Sequence, residues 1–265
     1  MNINKLKTMK DQGEKISMVT CYSHWSAKLV SQSLVDCVLV GDSVAMVVHG
    51  HPNTISATLS MMATHTEAVA RGLTKKLLIT DMPFLAHKRG LDKAVDAACL
   101  LMQKGAHGIK IEGAGQNIPL ISHLVEGGVP VMGHLGLTLQ SVHQLGGAKV
   151  QGRSPQKAQQ LLEDALQLED AGCFALVLEC IPPALAKKVT DALSIPTIGI
   201  GAGPYTSGQV LVTHDLLGLN PDFQPKFLKT YAPGASLIKN SLDTYHQEVR
   251  QKAFPQSNHC YGDIS

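Results

Sequence analysis

The sequence predicts a (β/α)8 TIM barrel closed at one end by an N-terminal capping helix, and three observations lead there. Short runs rich in Val, Ile and Leu recur along the 265 residues, separated by stretches of helical spacing, which is the pattern of a parallel sheet covered on both faces. Eight such runs follow one another without an interdomain linker, over a length typical of this barrel. Five runs stop on a residue that can ligate a metal or move a proton: VLVGD at Asp42, LLITD at Asp81, IKIE at Glu112, PVMGH at His134 and ALVLE at Glu179. The carboxyl ends of parallel strands are where these folds place their chemistry.

Taken in order, 2–12 is a short polar helix suited to lid the bottom of a barrel, and ISMVTCY (16–22) is the first strand. The second strand, 36–42, ends in Gly41-Asp42-Ser43, where a glycine lets the backbone turn sharply. Segment 44–59 has no clear period, and a loop of that length in a compact domain is usually functional. Helical spacing at 60–73 leads to the strand 77–81, which Met82-Pro83-Phe84 closes, and the helix 91–104 stops at Gly105. Strand 108–112 follows, then a helix near 117–126 and strand 129–134.

Segment 133–153 is a second long glycine-rich insertion, and Ser154-Pro155 starts a helix that reaches Ala171. Strands 174–179, 195–201 and 209–215 complete the eight, and an amphipathic helix covers 237–252. The whole of 1–265 reads as a single barrel domain, with a polar tail at about 255–265 expected to be disordered.

Composition narrows the function classes. Apolar content of 44%, charged content of 17% and a net charge of +2 describe a globular chain without a surface for nucleic acid or anionic membrane. No stretch approaches the ~20 apolar residues that span a bilayer. Six scattered cysteines without CxxC spacing read as reduced thiols, and the start MNINKLKTMKDQGEK lacks the apolar core of a leader, so the expected home is the cytoplasm.

The candidate chemistry sits on the strand ends. Lys110 and Glu112 lie two apart, so the strand period turns both to one face and Ile111 to the other. A single strand-end carboxylate is ordinarily a helix cap or a surface charge. Asp42, Asp81 and Glu112 at equivalent ends of successive strands make an oxygen-rich site for Mg²⁺ or another divalent cation instead. Lys110 beside three carboxylates should stay an ammonium and anchor an anionic substrate, rather than act as a Schiff-base nucleophile. Glu179, across the barrel by strand order, is placed to act as a general base. His134 is either a proton shuttle or a satisfied histidine under a loop. Gly199-Ile200-Gly201-Ala202-Gly203 lacks the G-x-G-x-x-G spacing of a dinucleotide site and reads as a strand-end turn.

Motifs over nearly the whole chain carry a resemblance. VGDS (40–43), TDMPF (80–84), KIEG (110–113), GHLGLTLQSV (133–142), GGAKVQGR (146–153), LVLECIP (176–182), IPTIGIGAG (195–203) and GQVLVTHDLLG (208–218) stand in the order of ketopantoate hydroxymethyltransferases, and the chain resembles that family. The resemblance implies a (β/α)8 barrel in which 3-methyl-2-oxobutanoate chelates Mg²⁺ and forms an enolate. 5,10-Methylenetetrahydrofolate, the co-substrate, donates the hydroxymethyl group on the path to pantothenate.

It further implies a cytoplasmic homo-oligomer, a decamer, with small molecules rather than nucleic acid or membrane as partners. Asp42, Asp81 and Glu112 would hold the metal; Asp42, Ser43, Asp81 and Lys110 would bind the keto acid, and Glu179 would accept the proton. Ser23, Ala45, Ala148 and Ser207 depart from the family's usual residues, none at an implied ligand or base. Two other readings fit the strand-end acids: a metal-dependent lyase or mutase acting on phosphoenolpyruvate-like or oxaloacetate-like acids, and a catalytically silent barrel. Few basic residues besides Lys149 and Arg153 are available in the loops for a phosphorylated substrate.

Overall fold

The protein is described by a computed structural model covering residues 2–262. Helix α1 (Ile3–Asp11) is capped by Asn2, whose side chain accepts from the Lys5 amide. The described residues then form eight strands with intervening helices: β1 (Ile16–Thr20), α2 (His24–Gln32), β2 (Cys37–Val40), α3 (Val44–Val47), α4 (Leu59–Gly72), β3 (Leu77–Asp81), α5 (Leu91–Gln103) and β4 (Gly108–Glu112). After them come α6 (Ile118–Glu126), β5 (Val131–Gly136), α7 (Pro155–Asp170), β6 (Ala175–Glu179), α8 (Pro183–Ala192), β7 (Thr197–Ile200), β8 (Gly208–Leu211), α9 (Thr213–Leu216) and α10 (Gly234–Arg250). The strands pair in chain order, all parallel, and β8 returns to β1 to close the barrel.

Strand alternation separates two cores. Ile16, Met18, Leu39, Leu77, Ile79, Met132, Val177 and Val210 fill the barrel interior, and Leu6 and Met9 of α1 join the same cluster. The N-terminal helix therefore plugs the barrel, as its sequence suggested. Lys10 adds a polar tie, donating from Nζ to the carbonyls of Leu193 at 2.6 Å and Ile195 at 2.8 Å. Val38, Val40, Leu78, Ile109, Ile111 and Leu176 face outward against α2 and α4–α8. Once Ile111 is outside, Lys110 and Glu112 point inward from the same strand.

Several strand ends differ from the sequence reading by one or two residues, and the eighth strand by more. The eighth strand, expected over 209–215, stops at Leu211 and gives way to the helical turn α9. Its pairing to β1 runs out at Val19, and Thr213 then donates its amide to the Thr20 hydroxyl at 2.9 Å and its hydroxyl to the Thr20 carbonyl, which bends the chain out of the sheet. The first strand likewise stops at Thr20 rather than reaching residue 22. The unperiodic segment 44–59 contains α3 and a 3-10 turn at Thr54–Ser56.

The chain divides into two compact units, Met1–Thr213, which contains all the barrel strands, and His214–Ser265. The second unit contains α10, with Leu237, Ile238, Leu242, Tyr245 and Val249 exposed along it. Of the tail at 255–265, Ser257–His259 forms a 3-10 turn, and 263–265 lie outside the described residues. The cysteines are free: Cys21, Cys37 and Cys173 are buried, whereas Cys99 and Cys260 are exposed.

Candidate active site

Strand register brings the expected residues together at the carboxyl end of the barrel. Asp81 is paired with Lys110 across β3 and β4, Glu112 with His134 across β4 and β5, and Glu179 with Gly136 across β5 and β6. Asp42, Asp81, Lys110, Glu112 and His134 are all buried. Lys110 Nζ lies 3.1 Å from Asp81 Oδ1, and the Asp42 amide donates to Asp81 Oδ2 at 3.0 Å. Gly41 leaves room for the next side chain but one: a Cβ there would come within 2.8 Å of Ser43 Oγ. The Ser43 hydroxyl is held 2.7 Å from Tyr22 Oη.

Glu179 is joined to this cluster by His134. The imidazole Nδ1 lies 3.2 Å from Glu112 Oε1, and Nε2 lies 3.2 Å from Glu179 Oε2. The Nε2 contact is an ion pair whose angle falls outside hydrogen-bond geometry, and the same holds for Lys110 Nζ with Asp81 Oδ1. Strand order alone placed Glu179 opposite the acids; the histidine spans that distance. Gly136 allows β5 to pass close to β6: its φ is +98°, and a Cβ would fall 2.1 Å from the Glu179 carbonyl.

Burial and the Lys110 charge press the His134 pKa down, but Glu112 and Glu179 outweigh them and push it up to about 9. His134 is therefore a buried imidazolium at neutral pH. Its Nδ1 also sits 3.2 Å from Lys110 Nζ, and an ammonium offers only donors, so beside the charged imidazole Lys110 is a repulsive neighbour, with Glu112 paired to Nδ1 as an ion pair. For Lys110, burial acts downward, and Asp81, Glu112 and Asp42 together raise the pKa. The side chain is a permanent cation, as expected for an anchor rather than a nucleophile.

Gln140 completes the site, and no sequence signal singled it out. It sits in a 3-10 turn, Leu139–Ser141, within the glycine-rich insertion. Its Nε2 donates to Asp42 Oδ2 and to the Met82 carbonyl, both at 2.9 Å, and its backbone N–H donates to Glu112 Oε2 at 3.1 Å. One residue thus holds two acids and the loop after β3. Tyr22, through Ser43, is the second participant that sequence reading passed over.

Among the described residues, no group of three or more His, Cys, Asp or Glu side chains forms a ready metal cage. Both oxygens of Glu112 are engaged, Oε1 facing His134 Nδ1 and Oε2 accepting from the Gln140 amide. The donor set still suits a hard cation. Burial first, then Asp81 and Glu112, drive the Asp42 pKa well above the usual carboxylate range, a mark of more negative charge than Lys110 offsets. Asp81 Oδ1 makes no hydrogen bond.

A sequence profile of the ketopantoate hydroxymethyltransferases matches residues 1–257. The chain belongs to the ketopantoate hydroxymethyltransferase family. A 3-methyl-2-oxobutanoate hydroxymethyltransferase of Legionella pneumophila (strain Philadelphia 1) is 56% identical over 262 residues, covering 98% of this chain and 100% of that protein. Another of the same name from Coxiella burnetii (strain CbuK_Q154) is 54% identical over 263 residues, 98% of this chain and 99% of that one. The chain is accordingly an enzyme, a transferase of hydroxymethyl groups acting on small molecules.

Solved structures add the fold. A phosphonopyruvate hydrolase in complex with oxalate and Mg²⁺ superposes with a TM-score of 0.64 at 11% identity, over 100% of this chain and 93% of that one. A 2,3-dimethylmalate lyase of the PEP mutase/isocitrate lyase superfamily gives 0.62 at 14%, over 98% and 91%.

The departures from the usual ketopantoate hydroxymethyltransferase pattern fall outside the acid cluster. Ser23 caps α2, accepting from the Ser26 amide, which an aspartate there would also do. Ser207 is buried where β8 begins, with its hydroxyl accepting from the Thr197 amide at 3.2 Å. Ala45 is buried in α3, and Ala148 is exposed. Among the described residues, no helix is long and apolar enough to cross a membrane.

Proposed function

We propose that the enzyme transfers a hydroxymethyl group from 5,10-methylenetetrahydrofolate to 3-methyl-2-oxobutanoate, giving 2-dehydropantoate for pantothenate and coenzyme A biosynthesis. The observation that carries the reading is the path Asp42–Asp81–Lys110–His134–Glu179, with Glu112 on the same imidazole, which joins an acidic cation-binding corner to a proton acceptor through continuous contacts. Asp42 and Asp81 would hold Mg²⁺, with Glu112 reaching it directly or through water. Mg²⁺, when bound, draws charge from the keto oxygen and so makes the C3 proton removable.

Lys110 and Ser43 bind and orient the keto acid, the ammonium facing the negative charge that develops on the substrate when C3 loses its proton. Glu179, the partly accessible end of the chain at 14% side-chain exposure, takes that proton. His134 holds the Glu179 carboxylate in place and ties it to Glu112. The C3 carbon then bonds to the methylene carbon of the donor, both C–N bonds of that carbon break, one water supplies the hydroxyl oxygen, and the C3 proton and the remaining water proton end on the two nitrogens of tetrahydrofolate. The active assembly we propose is a cytoplasmic homo-oligomer, a decamer; the exposed apolar residues of α10 are of the kind a subunit contact buries.

The experiment is exchange of the C3 proton of 3-methyl-2-oxobutanoate in D₂O, followed by NMR with Mg²⁺ or with chelator, and with tetrahydrofolate added. Metal-dependent exchange is expected. Its absence under all these conditions would refute the assignment.

A further inference from the structure

A cavity of about 520 Å³ opens beside the acid cluster, with Glu112 and Gln140 in its wall. Its other walls mix exposed apolar surface, from Phe84 and Leu85, with two buried polar atoms that have no hydrogen-bond partner, Asn117 Oδ1 and His87 Nδ1. Asn117 is oriented by its own Nδ2, which donates to the Glu112 carbonyl at 2.9 Å, so Oδ1 is left as an acceptor. Burial, then the neighbouring Lys88, push the His87 pKa down to about 4, leaving a neutral ring. A volume of this size, apolar with a few placed polar groups, suits a small organic ligand.

A second cavity of about 470 Å³ adjoins the first, since Ile55 and Phe84 line both. It leads away from the acids and carries Arg89 and Lys93, while Lys88 lines the first cavity. All three are exposed, and none has an ion pair among the described residues. The carboxylate that lines the second cavity with them, Asp96, makes none either. Leu85, between Phe84 and this basic stretch, is held at φ +56°, a left-handed conformation that non-glycine residues adopt at a cost and that clusters at ligand-binding sites.

We propose that the first cavity takes the pterin and benzoyl rings of the one-carbon donor, and that Lys88, Arg89 and Lys93 receive its glutamyl carboxylates. The inference rests on the proposed transfer reaction and assigns the donor's seat within it. The pterin's polar edge lies against the wall that Asn117 and His87 form, and Phe84 gives the rings an aromatic face at the junction of the two cavities. The methylene group then lies on the Glu112 side, toward the keto acid. The anionic tail lies among the cations, where each exposed pair is worth a factor of about two to five in affinity.

The test compares 5,10-methylenetetrahydrofolate with 5,10-methylenetetrahydropteroate, which lacks the glutamate, in steady-state turnover by the parent and by the triple variant Lys88→Ala/Arg89→Ala/Lys93→Ala. The parent should show a KM about tenfold lower for the glutamylated donor, a preference that shrinks with added salt. The triple variant should lose the preference, and His87→Ala should raise KM for both donors while keeping it. C3 exchange of the keto acid reports the other half of the site and the folding of each variant. Calorimetric titration with tetrahydrofolate and tetrahydropteroate reads the same contrast without turnover. Equal KM and equal affinity for the two compounds in the parent, or an undiminished preference in the triple variant, would overturn the inference. Failure of the exchange reaction in the parent would instead strike the proposed reaction, and the titrations would still decide whether this cavity binds the pterin compound.

Discussion

Replacing Gln140 with leucine tests whether one loop residue organises the acid cluster. The side chain is 5% exposed and its two donated hydrogen bonds, to Asp42 Oδ2 and the Met82 carbonyl, both measure 2.9 Å. Leucine preserves the apolar volume and the backbone bond to Glu112, so the loss is confined to those two interactions. A hydrogen bond to a charged acceptor is worth about 1.5–3 kcal/mol and a neutral one about 1 kcal/mol, which gives a cost of about 3 kcal/mol for the buried pair. For a domain of roughly 150–250 residues each kcal/mol lowers Tm by about 2–4 °C, so the variant should melt about 6–12 °C below the parent.

The assay is differential scanning calorimetry in chelator, repeated with Mg²⁺, alongside C3 proton exchange. The bond from Gln140 is one of the influences that hold the Asp42 pKa down, so its loss moves Asp42 further toward its protonated form and weakens competition by a cation. A higher Mg²⁺ requirement for exchange should therefore accompany the lower Tm. Gln140→Glu, which adds a carboxylate beside Asp42 and Glu112, should be worse in chelator and recover further with Mg²⁺. A Gln140→Leu protein melting within about 1 °C of the parent, with an unchanged Mg²⁺ requirement, would refute this account of the loop.

Four further outcomes follow from the same geometry. The His134 pKa is higher in the folded chain than its ordinary 6.5, so its contribution is fully present below 6.5 and is lost as pH rises through about 9. Denaturant titrations in chelator should show stability falling by roughly 3 kcal/mol across that window, and His134→Gln should flatten the slope. Glu179→Gln should slow C3 exchange by about 10²–10⁴-fold while calorimetry still detects keto-acid binding, because it removes a base and no ligand. Asp81→Asn should raise the Mg²⁺ concentration needed for exchange and, by leaving Lys110 without its 3.1 Å partner, lower stability by about 3–5 kcal/mol in chemical denaturation. Leu6→Ala, at a fully buried position in the barrel plug, should cost about 2–5 kcal/mol without changing the exchange rate of the folded protein; an unaltered denaturation midpoint would show that α1 is not a plug.

Much of the cluster was legible because barrel chemistry obeys a simple period. Lys110 and Glu112 could be assigned inward from their spacing alone, and Asp81 followed from a strand that ends where proline stops the pairing. Gln140 was not legible, because it lies in an insertion without period, and the acceptors it reaches, Asp42 and Met82, are 98 and 58 residues away. His134 was left between two roles for a related reason. Whether a histidine is neutral or charged depends on which groups meet its two nitrogens, and here they come from three other positions: Lys110, Glu112 and Glu179. The end of β8 was misplaced because QVLVTHD keeps a strand-like composition past the point where Thr213 hooks onto Thr20.

By itself the sequence determined the order of strands and helices, the closed parallel barrel, and the inward face of each strand, because these depend on local periodicity and on short connections that favour neighbouring pairs. It also determined the family, through motifs spread over nearly the whole chain. Tertiary structure alone decided which oxygens of the acids are engaged, that His134 spans the gap to Glu179, and that the loop after β3 places Phe84 between two adjoining cavities. The physical reason is range: period and propensity act over a few residues, whereas a buried charge is governed by whatever the fold brings within a few ångströms of it, however distant in sequence.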